Sequence, residues 1–250
     1  MAGNHWIYSS NVDGHALRAG FEASAVLELH GGCAGSRGWF CSACTAAEEG
    51  DTAGAAAGCC PPEGYRFAVD PETMTLPDAP GGAASASRPG SGGVFGQGWP
   101  RCGACGGLLR PAVHMFGEDD AALLAALQRE EGRYVAWECA MEKAVVGEGA
   151  RLVLLEIGCG LRVPSVRMEM ECVLRDLAAA LGAAEGGGGA EGRVTLVRVN
   201  PEFPQSPGWE ACSVSIRASA EPALRGIDAA LGALPRDAAR RDSEGAAHAD

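Results

Sequence analysis

A continuous apolar run that leads directly into glycines is the feature that most constrains the fold of this chain. Leu152–Ile157 has the length of a strand, and its continuous apolarity predicts a parallel strand covered on both faces. Gly158-Cys159-Gly160 follows at once, apolar residues then recur at helical spacing over residues 166–181, and a further strand is predicted over Val194–Val199. Strand, glycine turn, helix and strand in this order predict an α/β fold with a doubly wound parallel sheet.

The remaining elements are predicted from shorter patterns. Strands are predicted at residues 6–8, 25–29, 66–70 and 214–216, and helices at 16–19 and 222–234. Asp119 and Asp120 are candidate N-caps of a helical region that continues in pieces to about Val146. Residues 45–58 and 78–98 are low in complexity and are predicted to form long mobile loops, residues 186–189 a flexible linker, and residues 235–250 a disordered tail.

Polar residues and glycines cluster where the predicted strands end. In doubly wound sheets, ligands bind beyond the carboxyl ends of the strands. We therefore expect a ligand site at this edge of the sheet. The clusters are Ser10-Asn11 with Asp13, His30, Gly158-Cys159-Gly160 and Asn200.

Charge and composition exclude several classes of protein. The formal net charge is −12 and no run of five or more Lys and Arg is present, so nucleic acid is not expected as a direct partner, whereas a basic protein tail is compatible with this charge. The sequence has neither an apolar stretch long enough to span a membrane nor a secretory signal, which favours an intracellular location in cytoplasm or nucleus. An odd number of cysteines, 11, favours thiols and metal ligands over disulfides.

Two C-x-x-C pairs predict a closed structural zinc site. Cys41 and Cys44 form one pair, and Cys102 and Cys105 form the other. A gap of two residues lets one tight turn present both sulfurs to one ion, and tetrahedral zinc takes four such ligands. The segment between the pairs is long, but the entropy of loop closure grows slowly with length. The alternatives are unrelated thiols, a redox pair, or replacement of one ligand by Cys59-Cys60.

Read in order, these clusters resemble the sirtuins. Ser-Asn-Val-Asp-Gly at residues 10–14, followed by Ala19-Gly20, is similar to the family's nicotinamide and ribose motif, and Glu-Leu-His-Gly at 28–31 to its catalytic histidine motif. The cysteine pairs resemble its zinc module, and residues 109–118 its acyl-lysine peptide loop. Residues 156–160 with Val163-Pro164 resemble its ribose loop, and residues 199–202 its adenosine-side loop.

The resemblance implies an NAD-dependent protein-lysine deacylase that transfers the acyl group to ADP-ribose and releases nicotinamide. It implies His30 as the general base, a role that suits an imidazole because its pKa lies near neutrality. The implied partners are NAD, a zinc ion and an acylated lysine on a protein or peptide. The residues implied to contact NAD are Asn11, Asp13, Gly158, Cys159, Gly160, Asn200 and Glu202. Those implied to contact the acylated peptide are Val113, His114, Phe116 and Gly117.

The chain departs from the sirtuin pattern at three places. Ser10 stands where the family usually has Gln, and Cys159-Gly160 replaces Thr-Ser. Sirtuins begin with a strand and a Gly-Ala-Gly loop that cradles the pyrophosphate, followed by a cofactor loop ending in Asp-Phe-Arg, and no residue before Asn11 matches these. The resemblance therefore implies an incomplete Rossmann-like sheet, with an incomplete gene model, a fragment and a degenerate relative as open explanations.

The implied organisation has two domains. Three hypotheses about function are compatible with it. Residues 1–31 and 106–234 are predicted to form a partial NAD-binding domain, and residues 32–105 a small zinc-binding domain. The leading hypothesis is the deacylase, whose activity is in question because the pyrophosphate loop is not found. The alternatives are a sirtuin-like binding or regulatory protein without catalysis, and a zinc-ribbon protein that binds nucleic acid, against which the acidic charge counts.

Overall fold

The structure is a computed structural model that describes residues 5–33, 38–45, 72, 101–107, 109–117, 119–184 and 192–233. The chain divides into two compact units, Met1–Glu138 and Cys139–Asp250. The predicted strand at 66–70, almost all of both low-complexity stretches, the linker at 186–189 and the tail lie outside the described residues. The predicted domain limits stay a prediction.

The first unit begins with two parallel strands. β1 is Ile7–Ser9 and β2 is Val26–Glu28, and they pair with Ser9 opposite Glu28. The short helix α1, His15–Arg18, and a 3-10 helix, Ala23–Ala25, lie between them in the chain. Both strands and α1 were predicted to within one or two residues. Because the strands are parallel, the turn after β1 and the turn after β2 leave the same edge of the pair.

A small antiparallel sheet follows in the same unit. β3 is Gly31–Gly32, β4 is Trp39–Phe40, and both pair with β5, Arg110–Val113, which lies between them. The short helix α2, Ser42–Thr45, follows β4. The register places Gly31 opposite Val113. β5 therefore brings the predicted peptide loop beside the turn that carries His30.

Helix α3, Ala121–Gly147, is one continuous helix. The prediction of a helical region in pieces is wrong, because no proline interrupts these residues and Gly132 alone costs only about 1 kcal/mol. Packing of aromatic rings contributes to the stability of its middle. Tyr8 of β1 lies 4.9 Å from Tyr134 and Trp6 lies 5.6 Å from Trp137, measured between ring centroids.

The second unit is a parallel sheet with a crossover helix. β6 is Leu152–Ile157, β7 is Val194–Val199 and β8 is Ser213–Ile216, in the order β6-β7-β8. Helix α4, Ser165–Ala184, connects β6 to β7, and helix α5, Ala220–Ala233, follows β8. The apolar stripe of α4 packs on one face of the sheet. The buried residues of this core are Val145, Met170, Val173, Leu174, Leu177, Leu181, Val194 and Leu196.

The other face of β6 differs from its prediction. Side chains alternate between the two faces of a strand, and Val153, Leu155 and Ile157 are exposed, Val153 by 65%. The expectation that both faces are covered is therefore wrong for the described part of the chain, although the parallel pairing is confirmed. Parallel strands joined by helices confirm the predicted α/β class. Among the described residues, no helix is long and apolar enough to cross a membrane.

Candidate functional site

The four predicted zinc ligands converge in the first unit. The Sγ atoms of Cys41 and Cys105 lie 3.5 Å apart, as do those of Cys44 and Cys102, and all four lie within 4.8 Å of one another. Four sulfurs placed tetrahedrally around zinc at 2.3 Å are about 3.8 Å apart. The donor set and its dimensions therefore fit a structural zinc ion, as the C-x-x-C spacing predicts.

Glycines and backbone bonds shape the second cysteine turn. Gly106 has φ +73°, in the left-handed region that glycine adopts most readily. A side-chain carbon added at Gly107 would lie 3.2 Å from the sulfur of Cys105 and 3.4 Å from that of Cys41. The amide of Gly107 also donates a hydrogen bond to the sulfur of Cys105, at 3.3 Å. A larger residue at position 107 would therefore crowd the metal ligands.

The cysteines of the cluster alter one another's ionisation. Hydrogen bonds that the thiol of Cys44 donates to the sulfurs of Cys105 and Cys102 raise its pKa well above the usual range. Burial is the first cause that raises the pKa of Cys41. Thiolates crowded in this way repel one another, and a divalent cation reverses this effect because it stabilises the deprotonated sulfurs that ligate it.

One carboxylate connects the first cysteine turn to helix α3. Ser42, which follows Cys41, donates a hydrogen bond of 2.6 Å to Asp120. Asp120 also accepts bonds from the amides of Ala122 and Leu123, at 3.1 and 3.2 Å, which makes it the N-cap of α3 as predicted. These bonds, led by that of Ser42, hold the pKa of Asp120 below its usual value. The cap therefore depends on the ionised carboxylate.

His30 lies in a tight turn between β2 and β3 and is half-buried. Gly31 has φ +82°, and any side chain added there would overlap the carbonyl group of Ala112, so the position admits only glycine. The carbonyl of His30 accepts a hydrogen bond of 2.9 Å from the amide of His114. The predicted base and two predicted peptide residues, Val113 and His114, are thus neighbours.

The Asn11–Gly14 turn, residues 11–14, is hydrogen-bonded to the same region. The amide of Leu29 donates to the carbonyl of Ser9 at 2.8 Å, and the amide of Cys33 donates to the carbonyl of Val12 at 2.8 Å. These bonds lie on either side of His30 in the chain. The structure therefore brings together the predicted nicotinamide turn and the turn that carries the predicted base.

Asp13 and Asn11 differ in how their side chains are used within this turn. Asp13 accepts a hydrogen bond from the backbone amide of His15 at 2.9 Å and lies 2.9 Å from its Nδ1 atom, and the bond from the backbone amide is the first cause that lowers the pKa of Asp13. Asn11 is exposed, and its backbone amide donates to the hydroxyl of Ser9 at 3.1 Å. His15 had no predicted role.

The rest of the predicted peptide loop lies at the surface. Met115 is 60% exposed and Phe116 is 97% exposed. Gly117 has φ +75°, which favours glycine at the end of the loop. A large aromatic ring that is almost fully exposed offers apolar area to a ligand. Contact between these residues and a peptide stays a prediction.

In the second unit, the loop after β6 and the loop after β7 are joined by Asn200. This residue is 5% exposed, and its side-chain amide donates to the carbonyl of Cys159 at 3.0 Å. Its side-chain oxygen accepts bonds from the amides of Glu202 and Phe203, at 2.9 and 3.0 Å. Asn200 thus positions both predicted cofactor loops, and its side chain is largely occupied by these bonds.

In the predicted ribose loop, the segment Gly158-Cys159-Gly160 is open and carries no charged side chain. Gly158 has φ +70°, and neither Gly158 nor Gly160 has an atom within 4 Å of an added side-chain carbon, which leaves space for a ligand. Burial is the main cause that raises the pKa of Cys159 to about 11. Its thiol is therefore neutral near pH 7. Cys159 takes the place of a hydroxyl residue in the sirtuin pattern, and its thiol is a weaker hydrogen-bond donor.

Sequence reasoning missed a buried ionic network beneath these two loops. Arg198 is 0% exposed and Glu156 is 1% exposed, and Nε of Arg198 lies 2.8 Å from Oε1 of Glu156. Arg198 also bonds Glu171 at 2.9 Å and the carbonyl of Gln205 at 2.9 Å. Arg167 lies 3.6 Å from Glu156. The available signal was two opposite charges in otherwise apolar strands, which the register places directly opposite each other.

The predicted cofactor residues thus form two groups. The first unit carries Asn11, Asp13 and His30, and the second carries residues 158–160, Asn200 and Glu202. A single cleft that unites both groups stays a prediction.

Comparison with known protein families supports the sirtuin resemblance. A family model described as the Sir2 family matches residues 1–132, more than half of the chain and a segment that contains His30 and all four clustered cysteines. Neither the curated proteins nor the solved structures contain a significant match to this chain.

Proposed function

The chain belongs to the Sir2 family of NAD-dependent enzymes, and from this premise we propose that it is a protein-lysine deacylase with His30 as general base. Its Rossmann-like α/β fold and its four-cysteine centre agree with this membership. The finer statement, removal of an acyl group from lysine, is our proposal. The observation that carries it is the set of backbone bonds around His30: its carbonyl accepts from the amide of His114, and the amides of Leu29 and Cys33, on either side of it in the chain, donate to Ser9 and Val12.

In the proposed mechanism, bound NAD would supply an electrophilic ribose carbon: the acyl oxygen of the substrate would bond this carbon as the glycosidic bond breaks and nicotinamide leaves. Asn11 and Asp13 hold the nicotinamide ribose and amide by hydrogen bonds. His30 accepts a proton from a ribose hydroxyl, which requires its imidazole to be neutral. Backbone hydrogen bonds between the turn that carries His30 and the loop after β5 hold His30 beside the residues proposed to receive the peptide.

The substrate is proposed to bind along residues 113–117. An extended peptide pairs readily with exposed backbone at the edge of a loop or strand, and apolar side chains then receive the acyl-lysine chain. Val113 and the exposed ring of Phe116 are the residues proposed to contact that chain, with His114 and Gly117 beside them. The loops at 158–160 and 200–202, with Asn200 and Glu202, are proposed to contact the ribose and adenosine.

The cysteine centre has a structural role in this proposal. Zinc held by Cys41, Cys44, Cys102 and Cys105 supplies a closed tetrahedral crosslink and no open position for catalysis. The link from Ser42 to Asp120 then transmits the position of the first cysteine turn to the start of α3. The metal therefore stabilises the first unit.

The test is a comparison of His30→Ala with His5→Ala, an exposed histidine outside the proposed site. With NAD and an acetyl-lysine peptide, we expect nicotinamide release from the wild type and from His5→Ala. Removal of a general base costs about 100- to 10,000-fold, so His30→Ala is expected to lose at least about 100-fold in kcat. Zinc content and melting temperature should stay unchanged in both variants.

Two results would contradict the proposal. Equal activity in His30→Ala and His5→Ala would exclude His30 as the base. Peptide binding without any NAD binding at millimolar concentration, measured by calorimetry, would instead indicate a sirtuin-like binding protein.

A further inference from the structure

Glu28 lies at the junction of the two turns that surround the proposed base. It is the last residue of β2, two residues before His30, and it pairs with Ser9, the last residue of β1. Because the strands are parallel, the Asn11–Gly14 turn and the His30 turn both start beside Glu28. The side chain of Glu28 is therefore within reach of both.

The carboxylate of Glu28 contacts the Asn11–Gly14 turn and lies against β3, the strand that follows His30. Oε1 accepts a hydrogen bond of 2.8 Å from the amide of Gly14. Gly14, the residue before helix α1, is buried and has φ +67°, in the left-handed region that favours glycine. Oε2 lies so close to Gly32 that any side chain there would overlap it. One carboxylate thus fills the space between the turn after β1 and the strand after His30.

A hydrogen bond from an amide to a carboxylate is stronger than one between neutral groups. Its loss would also leave the amide of Gly14 buried without this partner, which adds a cost of desolvation. The Asn11–Gly14 turn would then be free to shift relative to His30. A misplacement of about 1 Å between reacting groups lowers rates by about 100-fold.

We propose that Glu28 is a positioning residue that holds the Asn11–Gly14 turn at a set distance from the turn carrying His30. The proposal rests on the function proposed above, in which these turns hold the nicotinamide ribose and the base. Glu28 acts through Gly14 and Gly32 and does not touch the reacting atoms.

Three substitutions separate geometry from charge. Glu28→Gln keeps an acceptor oxygen at the same reach but has no charge, Glu28→Asp keeps the charge but is one carbon shorter, and Glu28→Ala removes both. Glu22→Ala, an exposed glutamate before the 3-10 helix, is the matched control. Glu28→Gln and Glu28→Asp allow the comparison even where Glu28→Ala does not fold.

The readouts are the KM for NAD, the KM for the acetyl-lysine peptide, kcat, and hydrogen exchange at the amide of Gly14. We expect Glu28→Asp and Glu28→Ala to raise the KM for NAD and lower kcat by at least about tenfold each. The peptide KM should stay unchanged, and Gly14 should exchange faster. Glu28→Gln should recover part of the wild-type values, because it keeps the reach of the acceptor but not its charge, and a merely structural role would lower the active fraction without changing the KM for NAD.

Contrary outcomes are distinct for the two proposals. Slow exchange at Gly14 in Glu28→Ala, or a normal Glu28→Asp beside a defective Glu28→Gln, would overturn positioning by this hydrogen bond while leaving the deacylase intact. A wild-type chain that releases no nicotinamide would overturn the proposed function and, with it, the role given to Glu28.

Discussion

The buried ionic network of the second unit predicts a large loss of stability in Glu156→Gln. Arg198 is fully buried, and burial by itself opposes its charge, but the hydrogen bonds that it donates to Glu156 and Glu171 outweigh that effect and raise its pKa. Glu156 supplies two contacts to Arg198, at 2.8 and 2.9 Å, and one to Arg167, at 3.6 Å. Removal of its charge leaves two buried or nearly buried guanidinium groups with fewer partners.

The expected magnitude follows from burial. Removing one partner of a buried ion pair costs about 3–5 kcal/mol, because the remaining charge stays buried without compensation. Glu171 still bonds Arg198 in the variant, and its side chain is 33% exposed, so we expect the lower end, about 3 kcal/mol. For a chain of this length 1 kcal/mol corresponds to about 2–4 °C, which gives a fall in Tm of about 6–12 °C.

Differential scanning calorimetry of Glu156→Gln against Glu221→Gln is the assay. Glu221 lies 2.9 Å from Arg225, and both side chains are more than three-quarters exposed. This exposed pair is worth little, so its loss should change Tm by no more than about 2 °C. The double variant Glu156→Met with Arg198→Met should recover much of the loss, because apolar residues of similar volume replace both charges. A Tm of Glu156→Gln equal to that of the Glu221→Gln control would refute the reasoning.

Two further predictions concern the first unit. Elemental analysis of the purified protein is expected to find one zinc ion per chain. Cys41→Ser should lose both the zinc and thermal stability, whereas Cys139→Ser, which changes an exposed cysteine outside the cluster, should keep both. Equal zinc content in the two variants would contradict the four-cysteine site. Asp120→Ala is expected to cost about 1 kcal/mol of unfolding free energy and Asp119→Ala, at an exposed position, almost nothing. Because the pKa of Asp120 is lowered from 3.8, its contribution is present above about pH 4 and is lost as the pH falls through the lowered pKa, so urea melts of the wild type and Asp120→Ala should converge in acid.

Several elements followed from local patterns. The apolar runs predicted β6 and β7 residue for residue, because a strand needs a certain length of apolar chain and the flanking glycines and Asn200 end it. Asp120 was predicted as an N-cap because its short carboxylate accepts bonds from the next amides. The C-x-x-C spacing predicted that the four sulfurs lie together, since each C-x-x-C turn already presents two sulfurs in one direction.

Other features depend on partners far away in the chain. The continuity of α3 was missed because packing on Trp6 and Tyr8 is not visible in the helix's own periodicity. Asn200 was predicted to contact the cofactor, but its bonds to Cys159 and to its own following amides depend on the distance between two loops. The exposure of Val153 likewise depends on which elements cover the sheet. The apolar run predicts the strand itself but not whether other elements pack on both of its faces.

The residue types of this protein determined its α/β class, the four cysteines that can hold a zinc ion and the order of its sirtuin motifs, because these depend on short-range turn chemistry and on side-chain donors. Only the tertiary structure decided that Glu28 reaches Gly14, that Glu156 neutralises Arg198 and that His114 bonds the His30 turn. Each of these depends on register between strands or on the approach of distant loops. Such distances are set by packing across the whole unit, which no local stretch of sequence encodes.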